Sequence, residues 1–300
     1  MVKIKTAKGR SDVLSSRPAP PAASPAFRPS PLASRCASDS ALIIFAKAPI
    51  AGQVKTRLCP PLMPDEAASL HGSFVLDALE RSKAAIAKHR LPLDRYLDCA
   101  PSARHVFFQI LEERHGVKLV DQAGEDLGAR MAQACSTVFS LGYKNLLLTG
   151  TDVPSLPSET YRDALALLAN HDLVLGPARD GGYYLIGMKR PAPELFTDIP
   201  WSTDRVLDLT RQKAERLGLK TGLLLAQRDI DTIDDLFALI NEAGIEREAR
   251  GVRREAKNKK VDFPLSSRTA GALRLIADRL RTRMPQSHGE PGARSTGNQP

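Results

Sequence analysis

Several features that would identify a function class outright are scarce or missing in this sequence. Its four cysteines, Cys36, Cys59, Cys99 and Cys135, form no CxxC pair and no Cys/His cluster at zinc spacing. That argues against a disulfide framework and a structural zinc site, and leads us to expect reduced, packed thiols in a cytoplasmic protein. No apolar run nears the ~20 residues of a membrane helix; the segment ALIIFA at 41–46 has only the length of a strand. No membrane span is expected. The N-terminus has no continuous apolar stretch and is not a secretory signal. An Arg/Ser-rich transit peptide is the lesser reading of it, beside a disordered extension or an over-long gene start. One Trp and five Tyr provide few stacking platforms for nucleic acid. The GxxxxGK[ST] phosphate loop is absent, and no internal repeat is visible. His71, His89, His105 and His115 fall in helical patterns or near helix ends, and none is given a catalytic role.

What is present is an uneven charge. The formal net charge is +9, yet residues 1–40 carry +5 and residues 247–300 carry +8, leaving −4 for residues 41–246. The basic character belongs to the flanks, so specific nucleic-acid binding is not expected of the folded part. Residues 11–38 hold Pro18, Pro20, Pro21, Pro25, Pro29 and Pro31 among Ser, Ala and Arg, a composition that predicts disorder. The chain is therefore divided into a basic extension (1–40), a catalytic-type domain (41–246), and a basic linker, amphipathic helix and disordered tail (247–300). Both flanks are expected to be dispensable for folding. In the tail, Leu273, Ile276, Leu280 and Met284 share one side of a helix over 269–284. A docked or solvated terminal helix is favoured there over a membrane-surface or acidic-partner helix.

Within 41–246, strand and helix signals alternate. Leu42–Phe45 is a short apolar run suited to a strand buried on both faces, and Pro64-Asp-Glu opens a long helix. Strands follow at 95–98, 117–120, 145–149, 173–175, 183–186 and 221–225. Helices are expected at 103–113, 127–141, 158–169 with Ser158 as its cap, 204–217 and 232–242. Such alternation predicts an α/β fold: a mostly parallel, Rossmann-like sheet with helices on both faces.

In an open α/β sheet, ligands bind outside the carboxyl ends of the strands, and four polar segments fall there. FAKAPIAGQVKTRL (45–58) sets Lys47, Lys55 and Arg57 around Gly52, which suits a diphosphate; the alternative is a solvated strand-to-helix loop. GTDVPSL (150–156) places Asp152 directly after a buried strand, where a carboxylate can hold Mg²⁺ or Mn²⁺. GPARDGGYYLIG (176–187) offers Arg179 and Asp180 to a sugar hydroxyl or phosphate, or is simply a hairpin turn. DIDTIDDL (229–236) carries Asp231-Thr232, either a site carboxylate or a helix N-cap.

Together with QAGEDLGARM (122–131) and IPWST (199–203), these motifs resemble the bacterial glycosyltransferases of arsenosugar biosynthesis, also called radical-SAM/selenodomain-associated transferase 1. That family lies in the nucleotide-diphospho-sugar transferase superfamily, and the resemblance covers residues 41–243. The KTRL loop and the DIDT segment are also similar to those of phospholactate guanylyltransferase. The resemblance implies a glycosyltransferase A-type fold and a metal, Mg²⁺ or Mn²⁺, shared by Asp152 and Asp231. It implies nucleotide phosphates held by Lys47, Gly52, Lys55, Thr56 and Arg57, with Gln122 to Arg130 near base or ribose. Asp152 and Asp180 would be the catalytic carboxylates, and Arg179, Gly181, Gly182 and Tyr183 would face the acceptor or sugar. One departure is plain: the Asp-x-Asp pair of A-type glycosyltransferases is reduced to Gly150-Thr-Asp152. The implied partners are a nucleotide sugar or nucleoside triphosphate and a small-molecule acceptor, with oligomeric state left open. Glycosyl transfer is the first reading. Nucleotidyl transfer with pyrophosphate release is the second, and a non-catalytic nucleotide-binding protein the third.

Overall fold

Strand β1 (Ser40–Lys47) lies inside the sheet, and its alternate side chains seed two separate cores. Leu42, Ile44 and Ala46 point to one face, Ala41 and Ile43 to the other, and all five are at most 3% exposed. The structure, a computed structural model, describes residues 38–245 and 265–283. The expectations for residues 1–37, the linker at 246–264 and the tail beyond 283 lie outside the described residues.

The sheet has seven strands among the described residues, in the order β3-β2-β1-β4-β6-β5-β7. The remaining strands are β2 (Leu93–Ala100), β3 (Lys118–Asp121), β4 (Asn145–Thr149), β5 (Leu173–Pro177), β6 (Tyr183–Met188) and β7 (Thr221–Leu223). All pairings are parallel except those of β6, which runs against β4 and β5. The expected α/β fold is present, with this one reversed strand produced by the Gly181-Gly182 turn.

Helices cover both faces. On one, α1 (Pro64–His89), α2 (Val106–His115) and α4 (Thr160–Asn170) bring Val75, Leu79, Phe108, Leu111, Tyr161 and Leu168 onto Leu42, Ile44, Leu97 and Leu147. On the other, α3 (Leu127–Phe139) and α5 (Val206–Arg216) press Met131, Cys135, Val138 and Ala214 onto Ile43, Tyr96, Leu146 and Ile186. Cys99 and Cys135 are free thiols buried within these layers.

Local chemistry sets the helix starts. Pro64 fits the first turn of α1, where an N–H would go unused, and Glu66 accepts from the Met63 N–H at 2.7 Å. Asp126 caps α3 by accepting from the Ala129 N–H at 2.7 Å. The cap expected from Ser158 is not formed. Helix α4 begins at Thr160, whose N–H donates to the Pro157 carbonyl instead.

A third cluster lies behind the loop after β1. Leu58 and Leu62 from that loop meet Leu70 and Phe74 of α1, Leu236, Leu239 and Ile240 of α6 (Ile233–Glu242), and Leu273, Ile276 and Ala277 of α7 (Ser267–Arg283). The tail helix therefore packs on α1. Buried Asp77 of α1 accepts from Ser266 Oγ at 2.7 Å, Thr269 Oγ1 at 2.6 Å and Arg268 at 2.8 Å. Among the described residues, no helix is long and apolar enough to cross a membrane.

Candidate active site

The turns after β4 and β5 are tied by backbone hydrogen bonds to the segment that precedes α6, and the loop after β1 joins them through the Lys55 side chain. The Ile230 N–H donates to the Asp152 carbonyl at 2.9 Å, laying the segment before α6 beside the turn after β4. Arg179 N–H donates to the Gln227 carbonyl and Gln227 N–H to the Pro177 carbonyl, both at 3.0 Å, so Asp229 arrives next to Asp180. Gly181 makes the turn possible. Its φ of +89° disfavours any side chain, and a β-carbon there would run into the Asp204 backbone.

The result is a cleft of about 640 Å³. Of the expected residues, Lys47, Lys55, Thr56, Arg57, Gln122, Asp152, Asp180, Gly182, Tyr183 and Asp231 all line it. Gly52, Arg179 and Gly181 are not on its wall. Gly52 shapes the loop with φ +75°, while Arg179 and Gly181 serve the turn through their backbones.

Lys55 is the centre of the arrangement. It sits in the left-handed region at φ +49°, and its side chain is only 6% exposed. Its ammonium lies 2.6 Å from Asp152 Oδ1, 2.8 Å from Asp231 Oδ1 and 2.7 Å from the Ile230 carbonyl. Burial by itself lowers the Lys55 pKa, but the two carboxylates outweigh it and hold the group above the ordinary lysine value. Burial likewise opposes ionisation of Asp152, and Lys55 overcomes it, so that this carboxyl lies below its usual range. The two carboxylates expected to share an ion do converge on a cation, and that cation is Lys55. The ammonium expected on the phosphate side is thus turned inward, while Lys47 and Arg57 remain exposed on the cleft wall.

A second carboxylate group lies beside it. Asp180, Asp229 and Asp231 each offer an oxygen within 4.8 Å of the others. Burial and the charge of Asp180 push the Asp229 carboxyl up to about 7. Oxygen-only ligands at this spacing suit a hard divalent ion such as Mg²⁺ or Mn²⁺. Asp231 can contribute because Thr232 caps α6, accepting from the Asp235 N–H, and leaves the preceding carboxylate free of that duty.

The remaining wall is more neutral. Gln122 donates to the Asp98 carbonyl at 3.0 Å, which pins its amide at the end of β2. Tyr183 meets Trp201 edge-on, with ring centroids 6.5 Å apart. His71 contacts the Lys47 carbonyl at 3.1 Å, bracing the backbone below that lysine, and burial lowers its pKa. Asp229, Trp201 and His71 were not among the expected site residues. For Asp229 a signal existed: in Asp229-Ile-Asp231 an extended backbone sends both carboxylates one way and buried Ile230 the other.

With this geometry in view, the chain can be compared with known proteins. A solved structure from Desulfovibrio desulfuricans G20, provisionally named a nucleotide-diphospho-sugar transferase, is 32% identical and superposes with a TM-score of 0.67. The match covers 82% of this chain and 98% of that one. The chain belongs to that protein's family. Residues 84–203 also match a family described as an uncharacterized protein conserved in bacteria (DUF2064). No curated protein matches. More distant similarities include a cytidylyltransferase from Leptospira borgpetersenii, 15% identical over 74% of this chain and 99% of that one, with a TM-score of 0.45. Glucosyl-3-phosphoglycerate synthase from Mycobacterium tuberculosis, solved with Mn²⁺ and UDP, is 11% identical over 76% of this chain and 88% of that one, with a TM-score of 0.42.

Proposed function

We propose that the cleft is the active site of a glycosyltransferase that moves a sugar from a nucleotide sugar to a small acceptor. The observation that carries this reading is the meeting, in one cleft, of basic Lys47 and Arg57 with the carboxylates Asp180, Asp229 and Asp231. A nucleoside diphosphate needs both: cations for its phosphate oxygens and a hard ion to bridge them. The three carboxylates fit Mg²⁺ or Mn²⁺, and such an ion would act as the Lewis acid that neutralises the departing diphosphate. Lys47, Arg57 and Thr56 line the phosphate side, and Gln122, with Arg130, the base and ribose side. Tyr183 and Gly182 flank the sugar or acceptor next to Asp180. Lys55 keeps Asp152 ionised at the cleft wall.

Nucleotidyl transfer is the second reading, and a specific observation favours it. Lys55 and the acidic cluster put two cation positions side by side, an arrangement suited to an in-line phosphoryl centre. Product analysis separates the two. Incubated with nucleotide sugars, nucleoside triphosphates and Mn²⁺, the protein is expected to release a nucleoside diphosphate and no pyrophosphate. Arg57→Ala should chiefly raise the apparent donor KM. Pyrophosphate formed with a phosphorylated acceptor, and a fall in kcat for Arg57→Ala, would overturn glycosyl transfer in favour of the second reading.

A further inference from the structure

Asp231 faces two cation positions, and only one of them is served by the chain itself. On one side it joins Asp180 and Asp229. On the other it joins Asp152 and the Ile230 carbonyl around the Lys55 ammonium. We propose that Lys55 is a resident cation filling what is otherwise a second divalent-metal position, so that the protein works with one exchangeable ion rather than two.

The argument rests on the ligand set. Asp152 Oδ1, Asp231 Oδ1 and the Ile230 carbonyl converge on one point from 2.6, 2.8 and 2.7 Å. Two carboxylates and a carbonyl are the oxygen donors that hard divalent ions take, at 2.0–2.6 Å. A contraction of a few tenths of an ångström would convert the ammonium cage into an ion site. Two of the ammonium's three N–H donors are spent on Asp231 and the Ile230 carbonyl, and Asp152 Oδ1 closes on it as an ion pair at 2.6 Å. The backbone supports the same assignment. Lys55 adopts φ +49°, a conformation unfavourable for a side-chain-bearing residue, and from it the side chain reaches residues 97 and 176 positions away in the chain.

This assignment takes from the proposed function only the metal at Asp180, Asp229 and Asp231, and the test separates the two. Binding of Mn²⁺ is counted on the full chain, without nucleotide, from the loss of the free-ion paramagnetic resonance signal. Wild type is expected to bind one ion, lost in Asp229→Asn. Lys55→Ala is expected to bind one more than wild type, and the extra ion should vanish when Asp152→Asn is added. Lys55→Gly, whose residue tolerates the positive φ, provides a second variant should the alanine form fail to fold. Lys55→Arg, which keeps a cation, should gain no ion. If wild type binds no ion, the metal of the proposed function falls, and a gain of one ion in Lys55→Gly still supports the resident cation. No gain in either the alanine or the glycine variant overturns it.

Discussion

Asp98 shows how little of a residue's chemistry is contained in its position along the chain. It lies inside β2, whereas Asp152 lies in the turn beyond β4; it is buried on the α3 face at 1% exposure, and its Oδ1 has no hydrogen-bond partner. Burial, with Asp121 nearby, pushes its carboxyl up to about 7 from 3.8. Between those two values the folded protein keeps a proton on Asp98 that the unfolded chain has already lost. Stability from this group is therefore complete below about pH 4 and is lost as the pH rises through about 7. A shift of this size corresponds to at most about 4 kcal/mol. Asp98→Asn removes the penalty. Urea unfolding of variant and wild type should show the variant gaining relative stability from pH 5 to pH 8. A difference that does not change with pH would mean that Asp98 is ionised and compensated in the fold. The same contrast separates Lys55 from Lys47 and Arg57. Three basic residues share one loop, but only Lys55 is drawn inward, by carboxylates that no reading of the loop alone could supply.

The strands and helices were readable because their signals are local. The short apolar run at Leu42–Phe45 and the proline and acids at Pro64–Glu66 each act within a few residues. The site was readable as a set of loops at strand ends, since the topology puts those ends together. Its internal partners were not, because Lys55 and Asp231 stand 176 positions apart and meet only through the fold. Ser158 was misread for a related reason: a carbonyl one residue earlier satisfied the same N–H. The hairpin turn was the middle case. Gly181-Gly182 announced a tight reversal, but not that it would insert an antiparallel strand between β4 and β5. That turn holds Asp180 against Asp229, which makes Gly181→Ala informative. The positive φ costs about 1–2 kcal/mol in an alanine, and the contact with the Asp204 backbone adds to it. The variant should unfold at lower urea and bind Mn²⁺ more weakly than its remaining folded fraction explains. Unchanged ion affinity would show that the cluster does not depend on the turn.

The division of the chain into core and flanks gives the remaining prediction, and the structure makes the two ends unequal. The apolar stripe of α7 buries Leu273, Ile276 and Ala277 against α1, α6 and the loop that follows Lys55. Its first turn supplies three of the groups that satisfy buried Asp77, while Arg268 also reaches Glu80 and Arg279 contacts Glu66. Each large apolar side chain so buried is worth about 1.5–3 kcal/mol. Breaking a buried ion pair from one side costs about 3–5 kcal/mol. A domain of this kind has only about 5–15 kcal/mol in total. A chain ending at residue 245 should therefore lose several kcal/mol in urea unfolding and expose apolar surface that binds a hydrophobic dye. Asp77→Ala in the full chain should reproduce part of the loss, because Arg268 then loses one carboxylate and two hydroxyls lose their acceptor. The basic, proline-rich residues 1–37 have a composition ill suited to forming a core, and their removal should leave the unfolding midpoint unchanged. Because α7 backs both the Lys55 loop and α6, the shortened chain should also bind Mn²⁺ more weakly while still folded. A chain ending at 245 with wild-type stability and ion affinity would show that α7 merely rests on the surface of α1.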